Sequence, residues 1–333
     1  MKDCRGKMTL SVREANSWDE FKEPWIKSMR HLPWYNKPNQ ADYIPEIELK
    51  ELESEFDDED HYFLLAVEDD ESIKGVLEFK CYDTYAANGI VMPGVPLENR
   101  NSDAARLLFE HQQKILRERN IPRVVATLKY RDIQYAKWYL ETLESEDFIV
   151  NRPESVQMIA EMSKFDGILS PLDKIHIKFR NDFNLDEFTE FTIKSYASTP
   201  EDLSIHGWDR AVTEPDTIRI IHKRTMDGVF GHSPSNWWKV AILDENPVGY
   251  IIGFHIPPRS RGVIGNLGVF PEYRKRGIAV FLIQSMFQEF KDYGLQYVMV
   301  GTPSNNTPAI RAYTKAGFQK ANYLTQYLRE IQL

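Results

Sequence analysis

The sequence predicts a mixed α/β protein (α+β in type) built from two tandem copies of one domain, each a mostly antiparallel sheet flanked by helices. Residues 19–28 read DEFKEPWIKS and residues 186–195 read DEFTEFTIKS, so seven of ten positions match without a gap at an offset of 167. Each half also holds two apolar runs separated by a charged turn, which is a hairpin pattern. Helix-period and strand-period segments then follow in the same order in both halves.

Each copy opens on a short apolar strand ending in arginine, Leu10 to Arg13 and Ile175 to Arg180. The matched decapeptides form the next helix. The hairpins begin at Leu64 to Val67 and at Val240 to Leu243, turn at Glu68 to Glu71 and Asp244 to Asn246, and return from Gly75 and Gly249. Ala104 to Arg119 and Ala279 to Tyr293 carry helical spacing. Arg123 to Leu128 and Tyr297 to Gly301 are the strands after them. A non-periodic stretch, Ser163 to Asp173, is punctuated by Gly167 and Pro171. The expected domains are therefore residues 1–166 and 174–333.

A length of 333 residues suits two domains. With 42% hydrophobic and 27% charged residues, the chain is neither a disordered tail nor a collagen-like repeat. No run approaches the roughly 20 apolar residues that a membrane helix needs, and Met1 to Arg13 lacks the apolar segment of a signal peptide. Cys4 and Cys81 are the sole cysteines, too few for a disulfide framework or a zinc cluster, so a reducing cytoplasm is expected. The first 166 residues carry 22 basic and 33 acidic side chains, and the rest carry 19 and 17. Without an extended basic stripe, no nucleic-acid partner is expected, and no membrane partner either. The acidic run Glu51 to Asp60 reads as a solvated helix end and loop, with attraction of a cationic substrate as the alternative.

The chemistry concentrates in Gly262 to Glu289, GVIGNLGVFPEYRKRGIAVFLIQSMFQE. An apolar strand runs to Val269 and Pro271 stops it, because proline cannot donate to a ladder. Arg274, Lys275, Arg276, Gly277, Ile278 and Ala279 then lead straight into a helix. The first amides of a helix lack internal partners, and the helix dipole adds partial positive charge there. A small-residue loop at that point is an anion trap, with Gly277 admitting a bulky anion and Arg274 and Arg276 able to add charge-assisted bonds. The expected ligand is a pyrophosphate; an ordinary basic helix cap is the plain alternative.

This stretch resembles the GNAT superfamily of N-acetyltransferases in a tandem form. The resemblance rests on LGVFPEYRKRGIA at 267–279 and on Asn306, Ala309, Ile310, Tyr313, Gly317 and Phe318, spaced as N-x-x-A-I-x-x-Y-x-x-x-G-F. The family implies a splayed parallel strand pair that takes the pantetheine arm of acetyl-CoA as an added strand. It implies that backbone groups at Leu267 and Val269 bond that arm, that amides from Arg274 to Ala279 hold the pyrophosphate, and that Asn306 contacts the cofactor. Tyr313 is implied as the acid for the leaving thiolate, since a phenol of pKa about 10 is protonated at neutral pH. Its plain alternative is core packing. A backbone N–H near Val269 is implied as the oxyanion donor. His255 is the titratable residue on the hairpin and the candidate base, with a water relay as the default.

At an offset of 174 the loop maps onto Arg100 to Ala105, and Gly277 becomes Asp103. Asn306 maps onto Asp132, Tyr313 onto Tyr139, and Pro93, Gly94 and Pro96 interrupt the strand before the loop. The first domain is thus expected to be a degenerate copy that does not bind CoA. The segment Ser204 to Trp238, with His206, Trp208, His222, His232, Trp237 and Trp238, is either an acceptor pocket or a hydrophobic cap. No metal-ligand spacing occurs in it, so no metal is expected. The expected function is acetyl-CoA-dependent acetylation of a small-molecule amine. A peptide acceptor and a non-catalytic acyl-CoA sensor are the alternatives.

Overall fold

The computed structural model describes residues 9–29, 45–89, 93–131, 133–167, 172, 174–257 and 261–333. Contacts divide the chain into two compact units, Met1–Glu154 with Tyr323–Leu333, and Ser155–Asn322.

In the first unit, β1 (Leu10–Glu14), α1 (Trp18–Met29) and α2 (Pro45–Ser54) precede the hairpin β2 (His61–Glu68) and β3 (Ile73–Tyr82). Then come β4 (Tyr85–Asn88), α3 (Ala104–Glu118), β5 (Arg123–Tyr130) and α4 (Ile133–Ser145). The sheet runs β1-β2-β3-β4-β5 and finishes with the last strand of the chain, β12 (Gln319–Glu330), which pairs antiparallel with β5 from Tyr323 onward. Trp18, Phe21 and Trp25 of α1 and Leu108 and Phe109 of α3 are buried in its core with Phe63, Leu77 and Phe79.

The second unit begins within β6 (Ile149–Glu161), whose residues Ser155 to Glu161 pair with β11 (Tyr297–Pro303). Its other strands are β7 (Ile175–Phe179), β8 (Trp238–Leu243), β9 (Asn246–His255) and β10 (Arg261–Val269), in the order β6-β11-β10-β9-β8-β7. Between β7 and β8 lie α5 (Leu185–Tyr196), α6 (Pro200–His206), α7 (Arg210–Thr213) and α8 (Pro215–Met226). Helix α9 (Ile278–Asp292) links β10 to β11, and α10 (Thr307–Ala316) follows β11.

The expected boundary at residues 163–173 therefore does not divide the compact units. The last strand of each sequence repeat completes the sheet of the other unit, so the chain passes between units once in β6 and again in β12. The repeat itself has a local cause. Glu20 and Glu187, which correspond in the two decapeptides, each accept a backbone N–H at the helix start, from Asn16 and Asn184, both at 2.7 Å. Phe21 and Phe188, the next residues, are both buried.

Alternation along β9 sorts the second unit into layers. Tyr250 and Ile252 face α5 in a cluster with Phe188, Phe191 and Trp238. Gly253 faces α9, where a Cβ would come within 2.7 Å of the Phe290 ring, and Gly262 on β10 leaves the same room. The fully buried Phe290 fills that space, so Phe290→Ala opens a cavity that these glycines cannot close. A loss of about 3–5 kcal/mol is expected, read as a lower urea midpoint for the second unit.

Candidate active site

The opening between β10 and β11 is set by where their ladder stops. They pair in parallel only from Arg261/Tyr297 to Ile264/Val300. Past the irregularity at Gly265, β10 stays paired with β9 as far as Val269, and β11 stays paired with β6 as far as Pro303. The facing edges of β10 and β11 diverge, which is the splay the sequence resemblance implies.

Leu267 lies on that edge. The Tyr196 hydroxyl donates to its carbonyl at 2.7 Å and accepts from its N–H at 3.1 Å. Two-residue alternation turns the Val269 backbone to the same side, and the Val269 carbonyl accepts from Arg274 Nε at 3.0 Å. The expectation that Leu267 bonds the pantetheine arm is thus corrected here, because Tyr196 holds both of its backbone groups.

The loop after β10 is shaped as an anion cradle. Lys275 has φ 63° and Gly277 has φ 85°, two left-handed residues on either side of Arg276. Gly277 caps α9 without any side-chain hydrogen bond, and the first intrahelical bond runs from Phe281 N–H to the Gly277 carbonyl. The amides of Ile278, Ala279 and Val280 therefore have no acceptor inside the helix. A Cβ on Gly277 would meet only Leu172, at 3.6 Å, so the cradle is open. The donor set suits a pyrophosphate.

Arg274 does not serve as expected. Its guanidinium pairs with Asp202 at 2.9 Å and donates to the Ser195 carbonyl at 2.9 Å as well as to Val269. It ties the loop to α5 and α6 rather than reaching for an anion. Lys275 and Arg276 remain the exposed cations beside the cradle; Arg276 donates to the Glu272 carbonyl at 3.1 Å and lies 5.4 Å from the Tyr273 ring centre. Asn306 is likewise turned inward. Its Oδ1 accepts from Ala309 N–H at 3.2 Å and its Nδ2 donates to Thr302 Oγ1 at 3.0 Å, so it caps α10.

Tyr313 is buried on α10, edge-on to Phe318. Burial, with the Tyr196 phenol nearby, raises its pKa well above the ordinary tyrosine value. No hydrogen bond to its hydroxyl occurs among the described residues. His255 is not with this group. The β9–β10 register pairs it with Gly262, five residues before Leu267, or roughly 17 Å along the strand. Its ring sits against Tyr293 at the far end of α9 instead.

A histidine that the structure does bring to the opening is His206, at the end of α6. It is buried, its ring lies edge-on to Tyr196 at 4.8 Å, and Nε2 is 3.5 Å from Asn306 Nδ2. Burial lowers its pKa despite Asp202 and Asp209, so the imidazole is neutral at neutral pH. Three of the other aromatics of the Ser204–Trp238 segment, His222, Trp237 and Trp238, are core. Trp238 packs on Phe188, Trp237 on Phe290, and His222 Nε2 lies 2.9 Å from Thr192 Oγ1, itself 2.7 Å from the Tyr250 hydroxyl.

The first unit departs from this pattern where the sequence expects it to. Strand β4 has four residues against nine in β10. Asp103 caps α3 with φ −74°, so the left-handed turn is missing. Arg100 Nη2 lies 3.4 Å from the Tyr139 hydroxyl, so the counterparts of Arg274 and Tyr313 meet each other. Asp132 lies outside the described residues.

Residues 199–318 match the model of the acetyltransferase (GNAT) family. An N-alpha-acetyltransferase from Saccharolobus solfataricus is 34% identical over 99 residues, 26% of this chain and 59% of that protein. The chain thus matches under two thirds of that relative's length. N-alpha-acetyltransferase 30 from Schizosaccharomyces pombe is 30% identical over 101 residues, 29% of this chain and 67% of that one. The crystal structure of a GCN5-related N-acetyltransferase from Sphaerobacter thermophilus superposes with a TM-score of 0.63 at 15% identity, covering 97% of this chain and 96% of that one, which shows a shared fold. With the splay, the cradle and these sequence matches in the same residues, the chain belongs to the GNAT acetyltransferase family.

Proposed function

We propose that the chain moves an acetyl group from acetyl-CoA to a primary amine of a small molecule, by direct attack in a ternary complex. The observation that supports this reading most is the uncapped start of α9 behind Lys275 and Gly277, placed beside the opened edge of β10. Acetyl-CoA supplies the acyl group already activated as a thioester. The amides of Gly277 to Val280 hold its pyrophosphate, with Lys275 and Arg276 adding positive charge. The Val269 N–H stabilises negative charge on the carbonyl oxygen. His206, neutral and at the opening, accepts the proton the amine must lose, directly or through water. The new N–C bond forms as the C–S bond breaks, and Tyr313 gives its hydroxyl proton to the sulfur. Positioning both reactants supplies a large share of the acceleration.

A peptide α-amine is the second reading, favoured by the N-alpha-acetyltransferase names of the relatives. The buried thiol of Cys81 fits a reducing cytoplasm. Among the described residues, no helix is long and apolar enough to cross a membrane. Calorimetric titration of the full chain with acetyl-CoA is expected to give one site per chain, because Asp103 replaces the glycine turn in the first unit. Thiol release with small amines and with short peptides then separates the two acceptors. Two sites would overturn the degenerate first copy, and no binding would overturn the whole reading.

A further inference from the structure

Helix α6 docks on the second unit in an unusual way. Of its residues Pro200–His206, only Asp202 and His206 are buried, while Leu203 is half exposed. A surface helix ordinarily docks through an apolar stripe. Here an acid and an imidazole take that place. Residues four apart share one helix face, so whatever holds Asp202 also fixes where His206 projects.

Asp202 is held at both carboxylate oxygens. Thr199, which caps α6, donates its hydroxyl to Oδ2 at 2.7 Å and accepts the Asp202 N–H at 3.1 Å. Arg274 Nη1 lies 2.9 Å from Oδ1. The same guanidinium donates from Nε to the Val269 carbonyl at 3.0 Å and from Nη2 to the Ser195 carbonyl at 2.9 Å. Three nitrogens of one planar cation thus join the edge of β10, the end of α5 and α6. A lysine is a point charge without that fork. Ser195 precedes Tyr196, whose ring lies edge-on to His206 at 4.8 Å, so two of the three ties converge on the imidazole.

The charged and polar groups facing His206 come from every element around it. They are Asp202 from α6, Asp209 from the turn after it, Arg274 from the loop, Tyr196 from α5 and Asn306 from the cap of α10. Asp202 and Asp209 favour the imidazolium, while burial and Arg274 oppose it.

We infer that Asp202 and Arg274 are positioning residues, an ion pair that pins α6 so that His206 stands at the opening of β10 and β11. This role rests on the proton transfer proposed for His206. The loop that receives the cofactor and the helix that carries the proton acceptor then share one guanidinium.

The test uses the full chain, with turnover by thiol release, acetyl-CoA affinity by calorimetry and the His206 ring titration by NMR, assigned through His206→Gln. Asp202→Ala is expected to lower kcat about ten- to a hundredfold, the scale of a reacting group misplaced by about 1 Å, without weakening acetyl-CoA more than about twofold. Asp202→Asn keeps an oxygen for Arg274 and is expected to recover most of that kcat. In the asparagine variant the His206 titration and the acid limb of turnover both move to lower pH, because a charge favouring the imidazolium is gone and Arg274 remains. Parental kcat in Asp202→Ala overturns the role of the pair, as does a His206 titration that Asp202→Asn leaves in place. A chain that acetylates no amine, yet shows the shifted titration, overturns acetyl transfer instead and leaves the hold on the imidazole standing. Should Asp202→Ala fail to fold by circular dichroism, the titration of Asp202→Asn decides alone.

Discussion

Gly277→Asp is expected to weaken acetyl-CoA binding by about a hundredfold or more, roughly 2.7 kcal/mol. Two effects add. The left-handed φ of 85° costs an L-residue about 1–2 kcal/mol, so the turn that aims the α9 amides relaxes. The new carboxylate then competes with the pyrophosphate for those amides and repels it. The chain contains its own comparison, since the aspartate at the matching position of the first unit caps α3 at φ −74° with no such turn. Gly277→Ala isolates the strain and is expected to lose only about tenfold. Calorimetry reads both variants. Binding by the aspartate variant equal to the parent would show that the anion is held somewhere other than the start of α9.

The features readable in the sequence are those set by neighbouring residues. The decapeptide repeat is visible because a capping glutamate and a buried phenylalanine must sit at fixed places in a helix start. The cradle is visible because a strand stop, a glycine turn and a helix lie within ten residues. Long-range pairing is another matter. Strands β6 and β12 carry ordinary strand patterns, and no local signal says that each completes the other unit's sheet. Arg274 shows its charge in the sequence but not its partner, Asp202, which lies in a different helix. His255 sits on the expected strand, yet the register carries it to the wrong end. His206 was within reach, as the histidine that closes a helix begun by Thr199 and Pro200 beside the acids Asp202 and Asp209. The run Glu51 to Asp60 is only partly a solvated surface, because Glu55 and Asp58 turn toward His61 and Lys80, a fact that depends on β2 and β3.

Tyr313→Phe is expected to lower kcat by about 10²- to 10⁴-fold and to leave acetyl-CoA affinity nearly unchanged. The hydroxyl bonds to no described residue, so its loss removes no contact the fold relies on, and the ring keeps its packing on Phe318. What disappears is the proton that the departing thiolate needs. The pH dependence follows from two directions. Burial raises the Tyr313 pKa, so the phenol stays protonated through neutral and mildly alkaline pH, and turnover should show no falling limb from it below about pH 10. Burial lowers the His206 pKa, so activity should rise at a pH below the ordinary histidine value of about 6.5 and then stay level. Thiol release measured from acid to alkaline pH reads both limbs. A phenylalanine variant with parental kcat would reduce Tyr313 to core packing, and the proton on the leaving sulfur would then have to come from water or from the amine itself. A level profile after His206→Gln, with the acid limb gone, would tie that limb to the His206 imidazole.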